Sequence, residues 1–383
     1  MVYNAIQAFM IFMTAENATG SKLKELEDEY SKTKHNKATN KHLGILRAKI
    51  AKLKKDLSAK KGHGGIGFSV KKSGDATVAL VGFPNAGKSS LLGRLTQVES
   101  KVAGYAFTTV SVIPGILEHN GAMIQILDLP GLIRGAHAGK GDGAKIASVI
   151  RVSDLLLFLV DINKAEELYE LINEINLLGI RPNRQTPRIR IERHQTGGII
   201  VAANNHKIPD KDTVVGILNE FSIFNADIYF YEDATADDLI DILSGNVVYI
   251  NGVVVLNKID TMEKNKAEKI SNEIKKKTGM DVVKISAAYG TNLDELGDLL
   301  FSRLRLMRIY LKPKDGIADM EKPFISKEGA TVMDVAKALH SKTAKNLRYA
   351  YVDGKSVRFR NQKMGIDHVL QDKDVVTLVY REI

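Results

Sequence analysis

Residues 82–89 of the chain read Gly-Phe-Pro-Asn-Ala-Gly-Lys-Ser. This stretch matches the pattern G-x-x-x-x-G-K-[ST] between an apolar run at residues 77–81 and a helical run at 90–95. In that context the loop amides, the Lys and the helix N-terminus surround phosphate groups. We therefore predict a P-loop nucleotide site. Its predicted phosphate-binding residues are Gly82, Pro84, Asn85, Ala86, Gly87, Lys88, Ser89 and Ser90.

Two further motifs indicate which base is bound. Asn257-Lys-Ile-Asp260 follows the apolar run at 253–256, and Ser286-Ala287 follows the run at 282–285. The Asp260 carboxylate can accept hydrogen bonds from N1–H and N2–H₂ of guanine, a donor pair that adenine lacks. The predicted guanine-binding residues are Asn257, Lys258, Asp260, Ser286 and Ala287.

Metal and γ-phosphate ligands are predicted from two further segments. Asp128-Leu-Pro-Gly131 follows the apolar run at 124–127, so Asp128 can hold Mg²⁺ while the Gly131 N–H meets the γ-phosphate. Ser89 and Thr109 are the other predicted Mg²⁺ ligands. Thr108, Thr109 and Leu132 are assigned to switch segments that respond to the γ-phosphate.

The apolar runs also predict the fold class. Short runs rich in Val, Ile and Leu alternate with helix-length stretches, which is typical of an α/β protein with a mostly parallel sheet. However, 95 residues separate Asp161 from Asn257, far more than one crossover needs. We predict a P-loop domain at 75–180 and 247–308, whose first part ends with a helix at 164–178. An α+β subdomain at 181–246 interrupts it, with strands at 188–191 and 198–202 and a helix at 213–221.

The ends of the chain are predicted to form separate regions. Residues 16–61 read as a basic helical hairpin, with Leu43, Leu46, Ile50, Leu53 and Leu57 on one face. An extension at 1–15 precedes it, and a Gly-rich linker at 62–74 follows it. Residues 309–383 predict a small β-rich domain with strands at 309–311, 350–352 and 375–379 and one helix at 331–339.

Composition excludes some classes of protein and suggests a partner. The 383 residues contain no Cys, so disulfides and thiolate metal sites are impossible. The apolar stretch at 8–13 is too short to cross a bilayer, so we expect no membrane partner. The absence of Cys fits a reducing cytoplasm, where we expect the protein to be located. The net charge of +10 is concentrated at the two ends. That charge predicts a polyanion such as RNA as partner, although a solvated Lys-rich surface would show the same composition.

The motifs together resemble a known family. Residues 82–90, Tyr105-Ala-Phe-Thr-Thr109 and residues 128–143 resemble the Obg-related GTPases, above all the developmentally regulated GTP-binding (DRG) branch. Residues 178–183 and 195–199 resemble the inserted segment of that branch, and the C-terminal domain resembles a TGS domain. The resemblance implies a Ras-like G domain, an insertion related to the second domain of ribosomal protein S5, and a β-grasp TGS domain. It also implies ribosome or RNA association in translation and a small regulatory partner protein; we expect a monomer.

Three residues refine the predicted chemistry. Leu132 stands where many GTPases have a water-orienting Gln, so slow intrinsic hydrolysis is predicted. Asn85 matches the P-loop Asn that helps coordinate K⁺ in related GTPases, so K⁺ is predicted to stimulate hydrolysis more than Na⁺. Arg134 departs from the Glu usual in the family.

The leading functional prediction is therefore a Mg²⁺-dependent GTP hydrolase that acts as a ribosome- or RNA-associated switch. A second interpretation is an RNA-binding module whose nucleotide site is mainly structural, against which Lys88, Ser89 and Asp128 argue. A third is an ATPase, against which Asn257 and Asp260 argue.

Overall fold

A computed structural model describes most of the chain, in two compact units. The described residues are 21–23, 25–30, 32–33, 39–61, 73–96, 113–129, 143–314, 316–340 and 344–381. The first unit comprises those within Met1–Gly67 and Gly179–Tyr249, and the second those within Phe68–Leu178 and Ile250–Ile383. The predicted extension at 1–15 and most of the predicted linker at 62–74 lie outside the described residues.

The elements follow one another in this order. The N-terminal half contains α1 (Asn40–Lys61), β1 (Ala76–Val81), α2 (Lys88–Leu95), β2 (Ile113–His119), β3 (Ala122–Asp128), α3 (Gly143–Val152), β4 (Leu155–Asp161) and α4 (Glu167–Leu177). The middle contains β5 (Ile180–Pro182), β6 (Ile189–Arg193), β7 (Ile199–Ala202), α5 (Lys211–Glu220), β8 (Ala226–Phe230), α6 (Ala236–Ser244) and β9 (Val248–Ile250). The C-terminal part contains β10 (Gly252–Asn257), α7 (Lys264–Thr278), β11 (Asp281–Lys284), α8 (Leu293–Arg303), β12 (Leu306–Leu311), β13 (Phe324–Lys327), α9 (Val332–Leu339), β14 (Leu347–Asp353), β15 (Gln362–Met364) and β16 (Asp374–Tyr380).

The main sheet of the second unit is mostly parallel, as predicted. Within the described residues its strand order is β11–β10–β4–β1–β3–β2, and only the edge pair β2–β3 is antiparallel. Every residue of β1 and β10 is buried, because helices cover both faces of a parallel sheet. The register places Leu80 opposite Asp128 and Asn257 opposite Asp161. The carboxyl ends of four strands therefore lie at one edge.

Edge strand β2 was not predicted from the sequence. It contains Pro114 and Gly115, both of which weaken the strand pattern. Pro is tolerated here because, among the described strands, β2 pairs with β3 alone and so lies at the edge of the sheet.

The first unit joins the inserted segment to α1. Strands β6, β8 and β7 form a three-stranded sheet, and β5 pairs with β9. Helices α5 and α6 bury Val214, Ile217 and Leu239 against this sheet, and Ala48 of α1 belongs to the same core. Helices α1 and α5 approach closely because Gly216 lacks a side chain: a Cβ there would lie 2.9 Å from Ile45 Cδ1.

Several basic side chains of α1 form ion pairs within this unit. Lys41 lies 3.0 Å from Asp212 and Lys49 lies 3.8 Å from Glu220, both on α5. Arg47 pairs with Asp237 on α6. The acidic insertion therefore neutralises part of the charge that the sequence assigned to an RNA-binding hairpin.

The C-terminal domain has a five-stranded sheet in the order β13–β12–β16–β14–β15. Helix α9 packs on one face through Val332 and Val335, against Ile309 and Val352 of the sheet. A capping box between Thr331 and Asp334 fixes the start of α9. The predicted β-rich domain with one helix is present, with strands β13 and β15 in addition to those expected.

Candidate functional site

The P-loop has the backbone geometry that its glycines allow. Gly87 precedes α2 with a φ of 96°, and Asn85 has a φ of 66°. A Cβ on Gly82 would lie 2.5 Å from Leu159 O, and one on Gly87 would lie 2.3 Å from Asn257 Nδ2. Any other residue at either position would force the loop away from its neighbours.

The loop presents polar groups to solvent at the carboxyl edge of the sheet. Pro84, Asn85, Ser89 and Ser90 are exposed, while Ala86 is buried. Ser89 and Ser90 lie in the first turn of α2, where unpaired backbone amides and the helix dipole favour an anion. The loop is thus open on the side where a phosphate chain would lie.

Lys88 of the P-loop and Asp128 at the end of β3 lie close enough for their charges to influence each other. The Lys88 Nζ donates hydrogen bonds to Gly82 O at 2.8 Å and to Phe83 O at 3.3 Å. Burial lowers the pKa of the Lys88 ammonium, and the Asp128 charge opposes that shift. Burial also raises the pKa of the Asp128 carboxyl, against the effect of Lys88. Each charge is incompletely compensated by the protein alone.

Asp128 has an unsatisfied oxygen. The residue is 3% exposed, and within the described part of the chain its Oδ1 has no hydrogen-bond partner. A buried carboxylate oxygen without a partner is costly, so it points to a ligand. Mg²⁺ prefers carboxylate, hydroxyl and phosphate oxygens, which Asp128, the exposed Ser89 hydroxyl and a nucleotide would supply. The residues present therefore fit the predicted metal.

Asn257 connects the phosphate loop with the second motif. Its side chain is buried, with Nδ2 donating to Ala86 O at 2.8 Å and Oδ1 accepting from Ala287 N at 3.0 Å. Both ends of the amide are thus used within the protein. Asn257 holds the P-loop and the Ser286–Ala287 loop in fixed relative positions.

Lys258 lies across the P-loop. It has a φ of 64°, and its Nζ donates to Asn85 O at 2.9 Å and to Asp161 Oδ2 at 2.8 Å. The other Asp161 oxygen accepts from the Asn163 backbone at 2.9 Å. Burial alone would raise the pKa of Asp161, but the hydrogen bonds from Lys258 and Asn163 outweigh it and hold the pKa below its ordinary value.

Sequence reasoning did not assign Asp161 to the site. The available signal was its position, directly after the apolar run at 155–160 and at the same sheet edge as Asp128 and Asn257. Its link to Lys258 spans 97 residues of sequence, so no local motif contains both.

Asp260 and Ser286 lie together where the guanine base is predicted. The Ser286 hydroxyl donates to Asp260 Oδ1, and the Tyr289 backbone N–H lies 3.4 Å from the same hydroxyl. Asp260 itself is exposed. The hydroxyl therefore orients a solvent-facing carboxylate, as hydrogen bonding to the edge of a base requires.

The structure brings together the predicted P-loop residues, Asp128 and both guanine motifs. Thr108, Thr109, Gly131, Leu132 and Arg134 lie outside the described residues, so their assigned roles stay predictions.

Comparison with known proteins defines the class. A profile described as "50S ribosome-binding GTPase" matches residues 77–193, the C-terminal region of that domain matches 196–306, and a TGS domain matches 307–380. The chain is thus a P-loop, GTP-binding protein with a C-terminal TGS domain.

Relatives identify the family. The chain is 44% identical over 364 residues to an uncharacterized GTP-binding protein of Methanocaldococcus jannaschii, covering 94% of this chain and 92% of that one. It is 42% identical over 370 residues to developmentally-regulated GTP-binding protein 1 of Xenopus laevis, covering 95% and 99%. The chain belongs to the developmentally regulated GTP-binding protein family, as the sequence motifs predicted.

The chain also aligns with a solved GTPase structure. The Schizosaccharomyces pombe YchF GTPase aligns with 81% of this chain and 99% of its own, at 12% identity and a TM-score of 0.46. Among the described residues, no helix combines the length and apolar character needed to span a membrane.

Proposed function

We propose that this protein hydrolyses GTP to GDP and phosphate with Mg²⁺, and that the bound nucleotide controls its affinity for the ribosome or RNA. The observation that carries the proposal is the buried Asp128 carboxylate, whose Oδ1 has no partner among the described residues. Lys88 of the P-loop donates to two loop carbonyls. A buried carboxylate oxygen without a protein partner fits a metal-dependent reaction better than a purely structural nucleotide site.

The chain's own residues perform distinct parts of the reaction. Lys88 leaves its loop carbonyls to place positive charge at the β- and γ-phosphate oxygens. Ser89 and Asp128, with Thr109 from the sequence, would hold Mg²⁺, which neutralises charge on those oxygens. Asn257, Lys258 and the Asp260–Ser286 pair fix the base, so the γ-phosphate lies at a set position. Leu132 cannot orient a water molecule, which supports a slow intrinsic rate.

Phosphate release tests the hydrolysis step. Lys88→Ala and Asp128→Asn are expected to lower single-turnover GTP hydrolysis at least about 100-fold, the scale of removing a transition-state electrostatic contact. Lys312→Gln, at an exposed position of the TGS domain, is the control and should retain the wild-type rate. Wild-type rates in both site variants would refute the proposed chemistry.

Ribosome pelleting tests the switch. The full chain is incubated with ribosomes in GDP, in a non-hydrolysable GTP analogue, and without nucleotide, and the bound fraction is measured. The proposal expects a clear difference between the first two conditions, because the γ-phosphate orders switch segments that a partner can contact. Equal binding in all three conditions would support instead an RNA-binding module with a structural nucleotide site.

Three further parts of the proposal rest on the sequence, and the family resemblance supplies the last of them. They are a cytoplasmic location, a monomeric state, and a small regulatory partner protein. Sedimentation velocity of the purified chain tests the monomeric state, and a dimer at micromolar concentration would contradict it.

A further inference from the structure

The TGS domain carries a concentration of positive charge. Residues 344–364 contain six Lys or Arg and a single acidic residue, Asp353. The six are exposed, and none forms an ion pair within the described part of the chain; they are Lys345, Arg348, Lys355, Arg358, Arg360 and Lys363. Their charge is therefore available to an external anion.

Helix α1 is more basic, with eight Lys or Arg and one acidic residue, but six of these cations already contact other groups of the first unit. Lys41, Arg47 and Lys49 pair with carboxylates of the insertion, and Lys54 lies 2.9 Å from Glu27. An RNA phosphate would have to displace these carboxylates first. Local charge balance thus favours the TGS domain over α1 as the polyanion contact.

Two tyrosines form an aromatic surface beside the TGS cations. The rings of Tyr349 and Tyr351 are 5.4 Å apart between centroids at an angle of 85°. Lys363 on edge strand β15 lies opposite Tyr351 in the register, with its Nζ 4.1 Å from the centre of the Tyr349 ring. Both tyrosines are half-buried, so their rings are held in place while part of each remains accessible.

The loop between β14 and β15 holds a third aromatic ring in solvent. Phe359 is 72% exposed between Arg358 and Arg360. The loop is fixed by Gln362, whose Oε1 accepts from Arg358 N at 3.0 Å and from Phe359 N at 3.3 Å. The exposed phenyl ring and the two flanking arginines present a flat apolar face beside positive charge, which suits a ligand that has flat apolar faces and negative charge.

We propose that this surface, comprising Tyr349, Tyr351, Lys363 and the loop 358–360, binds single-stranded RNA by stacking bases on the rings and pairing phosphates with the cations. Aromatic rings interleaved with unpaired Lys and Arg bind unstacked bases regardless of sequence. Duplex RNA keeps its bases stacked and offers no such faces, so a single strand is preferred. The inference rests on the proposed RNA association and assigns it to a surface.

Fluorescence anisotropy of the full chain with a 5′-labelled 20-nucleotide oligo-U tests the inference. Phe359→Ala is expected to weaken binding by about 5- to 100-fold, the range for loss of one base–aromatic stack. Arg358→Gln with Arg360→Gln should lower the slope of log affinity against log salt by about 1.4, since each phosphate contact to a single strand contributes about 0.7. Neither change touches the nucleotide site, so GTP affinity should stay at the wild-type value and report intact folding.

Lys41→Gln with Lys49→Gln is the matched control, because it removes two positive charges that are already paired. Its oligo-U affinity should stay within twofold of wild type. Unchanged affinity in Phe359→Ala, equal binding of a 20-base-pair duplex, or a larger loss in the α1 control would each overturn the inference. Ribosome binding that does not depend on the nucleotide would contradict the proposed switch. The oligo-U comparison would still show whether the TGS surface binds RNA.

Discussion

The Arg308 guanidinium donates a hydrogen bond of 3.3 Å to Asn120 Oδ1, joining the first strand of the TGS domain to the tip of the β2–β3 hairpin. Gly121 beside it packs against Pro323, since a Cβ there would lie 2.5 Å from Pro323 Cγ. The opposite end of β3 is Asp128 in the nucleotide site. One hairpin therefore connects the proposed metal ligand with the TGS domain inside a single compact unit.

Arg308→Gln is expected to destabilise the protein measurably. The Arg308 side chain is 19% exposed and donates hydrogen bonds to both carboxylate oxygens of Asp372. The substitution removes these hydrogen bonds and leaves the Asp372 carboxylate without its partner. The free energy of unfolding should fall by about 1–3 kcal/mol in denaturant titration of the full chain. Arg305→Gln is the control, because Arg305 is 70% exposed in its pair with Glu328 and should contribute less than about 1 kcal/mol. Equal losses in the two variants would show that the buried contacts of Arg308 add nothing.

Asn257→Ala should weaken GTP and GDP by a similar factor. The substitution leaves Ala86 O and Ala287 N without their hydrogen-bond partner, so the P-loop is no longer held to the Ser286–Ala287 loop. An unsatisfied buried group costs about 1–3 kcal/mol, which corresponds to roughly 10- to 100-fold in affinity. Titration with fluorescent GDP and a GTP analogue measures both constants. Asn219→Ala, at an exposed position on α5, should change neither, and a loss confined to GTP would contradict the linking role.

The site residues that could be predicted from the sequence are those that lie in local motifs. Residues 82–89 specify strand, loop and helix within one short window, so the P-loop could be identified before its neighbours. The contacts of Asn257 with Ala86 and of Lys258 with Asp161 join residues far apart in sequence. Such partners depend on strand order, which the apolar runs did not specify.

The insertion shows the same limit in the fold. Its strands β6 and β7 and helix α5 were predicted near their observed bounds, but β8 and α6 were not. Strand β8 reads Ala-Asp-Ile-Tyr-Phe, and its first two residues are of types depleted in strands. Helix α6 did carry a local signal, the capping box between Thr235 and Asp238. The pairing of α1 with this insertion depends on tertiary contacts alone.

Asp260→Asn should exchange guanine for xanthine preference. The carboxylate accepts two hydrogen bonds from guanine, whereas an amide presents one acceptor and one donor group, which suits the carbonyl at position 2 of xanthine. The ratio of GDP to XDP affinity should fall at least about 100-fold, as for other sites built around a hydrogen-bonded group. Competition binding with the two diphosphates measures this ratio. Ser286→Ala should weaken GDP without creating XDP preference, because the hydroxyl only orients the carboxylate.

The contribution of the Asp161–Lys258 ion pair to nucleotide affinity should be independent of pH between about 5 and 8. The pKa of Asp161 is lowered in the folded protein, so the pair's contribution is complete above the ordinary Asp pKa and is lost only as pH falls through the lowered value. Asp161→Asn is expected to weaken GDP at every pH in that window by a constant factor. Fluorescent GDP titrations at several pH values measure it. A ratio of wild-type to Asp161→Asn affinity that falls steadily from pH 8 to 5 would contradict the constant contribution of the pair.

Asn85→Gly should remove any K⁺ stimulation of hydrolysis while preserving the P-loop. Asn85 has a φ of 66°, a conformation that Gly adopts without strain and Ala does not. Its backbone carbonyl, which accepts from Lys258, is unchanged by the substitution. The exposed side-chain amide is therefore the only group lost, and it is the group predicted to help hold K⁺. Single-turnover rates in KCl and NaCl at equal ionic strength should differ for the wild-type protein and coincide for Asn85→Gly, with GDP affinity retained. Equal wild-type rates in the two salts would eliminate the K⁺ site, and stimulation that persists in Asn85→Gly would assign it to other residues.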